Sequence, residues 1–312
     1  MSGITAEKFD AAGNLNASVL QEVKLPGLPA RPKIFIKRDD AIHHLISGNK
    51  WRKLKYNLVE ASRLGKDTLL TFGGAYSNHI HATAAAGKVF GIKTIGVIRG
   101  EEYSPLNPTL SDAVKMGMEL AYLPRRIYKE RNNPDFQKEL AKQFGEPYVV
   151  PEGGTNEFAL PGVAELVGEI DVEYTHVCSA VGSGGTLAGI VCGLRGEKKA
   201  LGFPALKGGE YMSGIISGLL NKNGCDKYRN WELIADYHHG GFAKVTGELI
   251  DFICEFEKLN SIELDYIYTG KMFYSIRELA KKNYFSEEDV IIAVHTGGLQ
   301  GNKSMIKRYQ NS

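Results

Sequence analysis

The chain has 312 residues, 43% hydrophobic and 24% charged, with a formal net charge of +2, which describes a soluble globular protein with one large core or two smaller ones. So small a charge demands neither nucleic acid nor an anionic membrane as partner, no apolar run reaches the ~20 residues of a membrane span, and the polar N-terminus (Glu7, Lys8, Asp10) lacks the h-region of a signal peptide. Four cysteines (Cys178, Cys192, Cys225, Cys254) form no CxxC pair and sit singly among apolar residues, which predicts buried free thiols in a reducing compartment and therefore a cytoplasmic protein.

The first distinctive stretch is Ser47-Gly48-Asn49-Lys50-Trp51-Arg52-Lys53-Leu54-Lys55, with four cations in six positions behind a flexible turn. A solvated charge run opening a helix accounts for Arg52, Lys53 and Lys55. Lys50 also fits a second reading. Gly48 and Asn49 deliver it at the mouth of a helix, where the dipole and the nearby cations disfavour an ammonium, so the amine should be nucleophilic.

From about residue 65, short β-branched runs alternate with helical patterns. Strands are predicted at 68–72, 94–98, 119–123 and 148–150, with helices at 82–89, 112–118 and 134–144. The second half repeats the alternation: strands at 175–179, 199–203, 232–236 and 290–294, helices at 186–194, 211–220, 246–258 and 272–282. This predicts an α/β fold of parallel twisted sheets with helices on both faces. The turn-rich stretch 151–156 marks a seam between two α/β units, with ligands expected in the cleft at the carboxyl ends of strands. The basic run Arg125, Arg126, Lys129 and Arg131 has no interleaved aromatics and reads as a solvated face.

Glycine-rich turns follow four predicted strands: Gly73-Gly74, Gly153-Gly154, Gly182-Ser183-Gly184-Gly185-Thr186 and Thr296-Gly297-Gly298. The third can aim the free N–H groups of a helix start and the Thr186 hydroxyl at a phosphate; a tight turn without ligand is the alternative. It has neither the Lys of a P-loop nor GxGxxG spacing, which favours a phosphate without a nucleotide. Ser77-Asn78-His79 opens another helix, where Ser77 or Asn78 serves equally as an N-cap. His79 and His81 point to different helix faces, and the pairs His43-His44 and His238-His239 lack HExxH or CxxC companions, so no metal site is expected. There is no GxSxG elbow. Tyr266, Tyr268 and Thr269 precede Gly270-Lys271, and His295-Thr296 follow the last strand. Together with Lys50 and the phosphate turn they suggest a flat aromatic cofactor with a phosphate tail, which pyridoxal phosphate matches.

In order along the chain, the motifs KRDD (37–40), SGNKxRKL (47–54), GGxxSNH (73–79), GSGGT (182–186), YTGK (268–271) and HTGG (295–298) resemble the pyridoxal-phosphate enzymes that include 1-aminocyclopropane-1-carboxylate (ACC) deaminase and D-cysteine desulfhydrase. The resemblance implies a tryptophan-synthase-β-like fold. A larger cofactor-binding domain would comprise 1–46 and 151–312, a smaller one 47–150, with the active site between them in a homodimer. It implies that Lys50 carries the cofactor as a Schiff base and moves the substrate Cα proton. Asn78 would bond the cofactor's phenolic oxygen, and Ser77 the substrate carboxylate or a proton in transit. Gly182, Ser183, Gly184, Gly185 and Thr186 would bind the phosphate. Tyr268 would lie against the ring, with Thr269 and Thr296 on the pyridine-nitrogen side and His79 and Phe242 near the substrate.

ACC deaminases of the family have Glu and Leu where this chain has Thr269 and Thr296, and Gln where it has His79. A Glu keeps the pyridine nitrogen protonated; neutral threonines suffice when thiolate leaves. The chain is thus similar to the desulfhydrase side, and the expected reaction is α,β-elimination on a small amino acid, D-cysteine giving pyruvate, ammonia and sulfide. The alternatives are a deaminase, dehydratase or sulfo-lyase acting on ACC, serine or cysteate, and a non-catalytic binder of amino acids or phosphorylated ligands. Phe242 stands where the family has a substrate-pocket tyrosine, and Ala75-Tyr76 and 201–206 also depart from the pattern.

Overall fold

Apolar, β-branched runs form the strands of two sheets in the computed structural model, which describes residues 3–302; residues 1–2 and 303–312 of the expected larger domain lie outside it. The elements run α1 (Ala6–Ala11), β1 (Leu20–Glu22), β2 (Lys33–Lys37), α2 (Asn49–Arg63), β3 (Thr68–Gly73), α3 (Asn78–Phe90), β4 (Lys93–Arg99), α4 (Pro108–Lys115) and β5 (Met118–Leu123). There follow α5 (Arg125–Tyr128), α6 (Pro134–Gln143), β6 (Tyr148–Val150), α7 (Ala159–Gly168), β7 (His176–Val181), α8 (Gly185–Leu194) and β8 (Lys199–Pro204). The rest are α9 (Met212–Lys222), β9 (Trp231–Leu233), α10 (Gly247–Asn260), α11 (Thr269–Lys281) and β10 (Val290–Val294).

One sheet has the order β5-β4-β3-β6 and is parallel throughout. The other has the order β1-β2-β10-β7-β8-β9, parallel except for the antiparallel pair β1–β2 at its edge. Central strands such as β3 and β10 are buried on both faces, which is why they read as continuous apolar runs rather than alternating ones. Two cores flank the larger sheet, one including Phe252, Phe256 and Phe273, the other uniting Leu160 and Val163 of α7 with Leu187 and Val191 of α8.

The first 46 residues divide between the sheets. β1 and β2 join the larger one, whereas Phe9, Ile42 and Ile46 pack with Trp51 and Leu58 beside the smaller one. The short β1, β2, α1 and α7 were not separable from sequence. The segment expected to be extended at 232–236 pairs only over Trp231–Leu233. Helices α3 and α11 each begin several residues earlier than their apolar patterns suggest, because Ser77 caps one start and Asp265 the other.

The cysteines differ from expectation. Cys192 and Cys225 form a disulfide, Cys254 is exposed, and only Cys178 is a buried free thiol. Packing of α8 against α9 brings together two thiols that lie 33 residues apart in sequence. Among the described residues no helix is long and apolar enough to cross a membrane, and no group of three or more His, Cys, Asp or Glu could hold a metal.

Candidate active site

Helix α2 starts where the two sheets meet. Its N-cap Gly48 has φ +62°, and a Cβ there would stand 2.0 Å from the Thr296 carbonyl oxygen, so only glycine permits this approach. Asn49 N donates to that same carbonyl at 3.3 Å, joining the helix start to the turn after β10. Lys50 follows in the first turn, and burial lowers its pKa to about 8. The cause of this shift is desolvation, not the neighbouring cations expected from sequence.

The other cations of this stretch are not a solvated run. Arg52, Lys53 and Lys55 are all buried, because each meets a partner from a distant part of the chain. Arg52 and Lys55 meet carboxylates: Asp39 and Glu169 for the first, Asp10 and Glu165 for the second. Lys53 meets none. Its Nζ donates to Gly153 O at 3.1 Å, Thr155 Oγ1 at 2.8 Å and Ser183 Oγ at 3.1 Å. Burial, and then the charge of Lys50, push its pKa well below the usual lysine value.

A buried ammonium surrounded only by neutral oxygens is costly, and an anion beside it would remove the cost. The adjoining turn is shaped for one. After β7, residues Gly182 to Gly184 lead into α8, whose first N–H groups have no intrahelical partner. A Cβ on Gly185 would crowd Thr155 Oγ1 at 2.8 Å and Lys53 Nζ at 3.2 Å. Asn49 Nδ2 donates to Thr186 Oγ1 at 2.8 Å and ties the turn to α2. These residues fit a phosphate group.

The wall contributed by the smaller sheet is the start of α3. Ser77 Oγ accepts from His79 N at 3.2 Å and Ile80 N at 3.3 Å, so it is the N-cap, with its hydroxyl hydrogen still available. Asn78 Oδ1 accepts from Gln300 Nε2 at 2.8 Å, which fixes the amide and turns its Nδ2 toward Gly298. His79 is buried, and its Nε2 lies 2.7 Å from Thr71 Oγ1. Burial, then the charges of Lys50 and Lys53, hold the ring well below the usual histidine pKa.

Opposite stands Tyr268, whose ring packs over Gly182, with its Cε1 3.1 Å from where a Cβ would sit. Burial, then Asp265 and Glu152, raise its hydroxyl pKa, so the phenol stays neutral. Thr269 does not line a cleft. It is fully buried, and its hydroxyl donates to Asp265 Oδ2 at 2.6 Å. Asp265 also accepts from the N–H groups of Ile267, Tyr268 and Thr269 at 2.9, 2.7 and 2.7 Å, capping α11.

Thr296 lies in the turn behind Gly48. His295 holds that turn, its ring bonding Glu263 O at 2.8 Å and accepting from Gly297 N at 3.2 Å. Phe242 is half exposed, its ring 6.1 Å from that of Tyr268 in an edge-on arrangement. It is a rim residue, on a loop tied by Lys271 Nζ to the His238 and Gly241 carbonyls at 2.9 and 2.7 Å.

The contacts thus connect Lys50, Asn78, His79, the Gly182–Thr186 turn, Tyr268 and Thr296, and leave Thr269 behind them. Lys53, Thr155, Asn49, Gln300 and Asp265 were not singled out from sequence. For Lys53 a signal existed, since three residues from Lys50 is one helical turn on the same face.

Residues 19–297 match the family model described as pyridoxal-phosphate dependent enzyme. The chain is 34% identical over 286 residues to a Pyrococcus horikoshii protein named "Putative 1-aminocyclopropane-1-carboxylate deaminase", covering 86% of this chain and 85% of the relative. It is 32% identical over 302 residues to the mitochondrial bifunctional D-cysteine desulfhydrase/1-aminocyclopropane-1-carboxylate deaminase of Arabidopsis thaliana, covering 89% and 75%. A crystal structure described as an ACC deaminase homologue superposes with a TM-score of 0.79 at 29% identity, covering 96% of this chain and 98% of the other. The chain belongs to the pyridoxal-phosphate dependent enzymes of the ACC deaminase and D-cysteine desulfhydrase family, with their tryptophan-synthase-β-like fold and their lyase or deaminase chemistry.

Proposed function

We propose that the enzyme catalyses α,β-elimination on a small amino acid, with D-cysteine and water giving pyruvate, ammonia and hydrogen sulfide. The observation that carries the choice of substrate is the state of Asp265. This carboxylate lies beside Gly298 but is spent on three N–H groups and the Thr269 hydroxyl. A neutral hydroxyl, Thr296, then remains on that side to face a pyridine nitrogen. Such a site suits departure of a good leaving group better than ring opening.

The cofactor, when bound, supplies the electron sink that stabilises negative charge at the substrate Cα. Lys53, the Thr155 and Ser183 hydroxyls and the N–H groups from Gly182 to Thr186 would hold its phosphate, and Asn78 Nδ2 its phenolic oxygen. Lys50 anchors it, and the released amine takes the Cα proton; a pKa of about 8 suits it to that exchange near neutral pH. The free hydrogen of the Ser77 hydroxyl serves the substrate carboxylate. The Tyr268 phenol, kept neutral by burial, can give a proton to the departing sulfur. Phe242, at the rim, gives an apolar edge where a tyrosine would offer a hydroxyl.

Release of pyruvate or 2-oxobutyrate across D- and L-cysteine, serine, cysteate and ACC tests this reading, with D-cysteine expected to be best. ACC as the best substrate would overturn it in favour of a deaminase, the reading that the names of several relatives support. No elimination from any of them would favour a non-catalytic binder. Borohydride should fix the cofactor on Lys50. The homodimer and the small amino-acid partner are part of the same proposal, and sedimentation at working concentration checks the first.

A further inference from the structure

Between β9 and α10 the chain makes a loop that the core holds only at its ends. Tyr237 and Val245 pack on the core that includes Phe252 and Phe273, whereas from His238 to Lys244 only Gly241, which has no side chain, is buried. Two tight turns follow one another there, with Gly241 N donating to His238 O at 3.0 Å and Lys244 N to Gly241 O at 3.1 Å. His239, Gly240, Gly241 and Ala243 have φ of +50°, +88°, +105° and +54°, a region that costs His239 and Ala243 energy. A segment with so little buried apolar surface and such a backbone holds its shape only if it is fastened from outside.

Lys271, in the first turn of α11, is 2% exposed, and its Nζ donates to His238 O at 2.9 Å and Gly241 O at 2.7 Å, the two oxygens that close the turns. A cation at a helix start is opposed by the dipole, and among the described residues no carboxylate pairs with this one. Burial lowers its pKa to about 8, offset only in part by the charge of Asp265. Lys53 is also buried without a carboxylate, but two of its partners are hydroxyls, which can turn their hydrogens toward an anion. Carbonyl oxygens only accept, so the partners of Lys271 would repel an anion, and its bonds serve the backbone. Elsewhere the loop is held at its flanks, by the His239 ring edge-on to Tyr274 at 4.4 Å and its Nδ1 2.9 Å from Thr246 Oγ1.

Phe242 lies inside the second turn, and its ring meets that of Tyr268 at 6.1 Å. Tyr268 stands three residues before Lys271, so one stretch of chain fixes both sides of this contact: Tyr268 over Gly182, and Phe242 beside Tyr268. We propose that Lys271 is a positioning residue that sets substrate specificity: by drawing in the His238 and Gly241 carbonyls it holds Phe242 against Tyr268 and limits how large a leaving group the cleft admits. The inference rests on the proposed elimination, in which Tyr268 faces the departing sulfur; bulk added to that sulfur would meet the Phe242 ring.

The test compares kcat/KM of the holoenzyme for S-benzyl-D-cysteine and D-cysteine. Phe242→Ala and Lys271→Met should each raise that ratio about tenfold, the second through KM rather than kcat. Added to Phe242→Ala, Lys271→Met should change the ratio less than about twofold, because the ring it acts through is gone. A ratio unmoved by Lys271→Met, or moved equally with and without the Phe242 ring, overturns the inference. Chymotryptic cleavage after Phe242, followed by mass spectrometry, reads the fastening without turnover and should be about tenfold faster in Lys271→Met; equal rates also overturn it. If Lys271→Met does not fold, Gly241→Ala displaces one of the same carbonyls, since a Cβ there would crowd Lys207 at 3.3 Å. It should raise the ratio in the same sense, and an unmoved ratio overturns the inference. No turnover of either cysteine would overturn the functional reading alone; the ratio is then read from the dissociation constants of the two amino acids, and the fastening from the cleavage rates.

Discussion

The two faces of helix α2 carry the same kind of residue to different ends. Arg52 holds Asp39 at 2.6 and 2.7 Å and Glu169 through two contacts of 2.8 Å, and Lys37 reaches Glu169 at 2.9 Å. Lys55 holds Asp10 at 2.7 Å and Glu165 at 2.8 Å. Lys53, one turn from Lys50, meets only the Gly153 carbonyl and the Thr155 and Ser183 hydroxyls, and the charges of both lysines hold His79 below the usual histidine pKa. Burial opposes the charge on every one of these groups. At Arg52 and Lys55 the carboxylates outweigh burial and the pKa rises; at Lys50 and Lys53 nothing does, and it falls. A cation matched by a carboxylate is a fastening. A buried cation left with neutral partners is a place for an anion or for amine chemistry.

Substitutions can break this contrast. Lys50→Ala should cost at least about 10³-fold in elimination while leaving thermal stability near wild type, read by steady-state kinetics and a melt of the purified enzyme. Retained turnover would remove Lys50 from the chemistry. Arg52→Ala should act on stability instead. It strands Asp39, which is fully buried, at a cost of about 3–5 kcal/mol in denaturant unfolding. A loss below about 1 kcal/mol would show that the two faces are not divided as described.

Lys53→Met should weaken cofactor binding by about 10–100-fold, the value of a charge-assisted hydrogen bond, measured by titration of the apoenzyme. The apoenzyme itself should be no less stable, since a buried ammonium without a counter-charge is removed. The smallest effect is one of pH. Lys50 is uncharged above its lowered pKa, so its labelling in the apoenzyme should increase as pH rises through about 8, not through the ordinary lysine value of about 10.4. Half-labelling near the ordinary value would show that burial does not act on this amine.

Much of this arrangement is legible in the sequence. Strands such as 290–294 announce themselves as continuous apolar runs, and the glycines of the turn at 182–185 mark a strand-to-helix corner. Lys50 stood out because Gly48 and Asn49 placed it at a helix start. All of these signals lie within about ten residues of chain, where periodicity, capping and glycine geometry operate.

What the same letters could not reveal was which neighbours each side chain would meet. Arg52 meets Glu169 across 117 positions, Lys53 meets Ser183 across 130 and Asn78 meets Gln300 across 222. Thr269, which looked like part of the cofactor site, is taken by Asp265, and Cys192, which looked free, finds Cys225. The sequence by itself determined the α/β alternation and the glycine-rich strand-to-helix turn after β7, because local chemistry suffices for those. The tertiary structure alone decided which buried cations are neutralised and which are left to act, because charge compensation depends on the distance between groups in space and not along the chain.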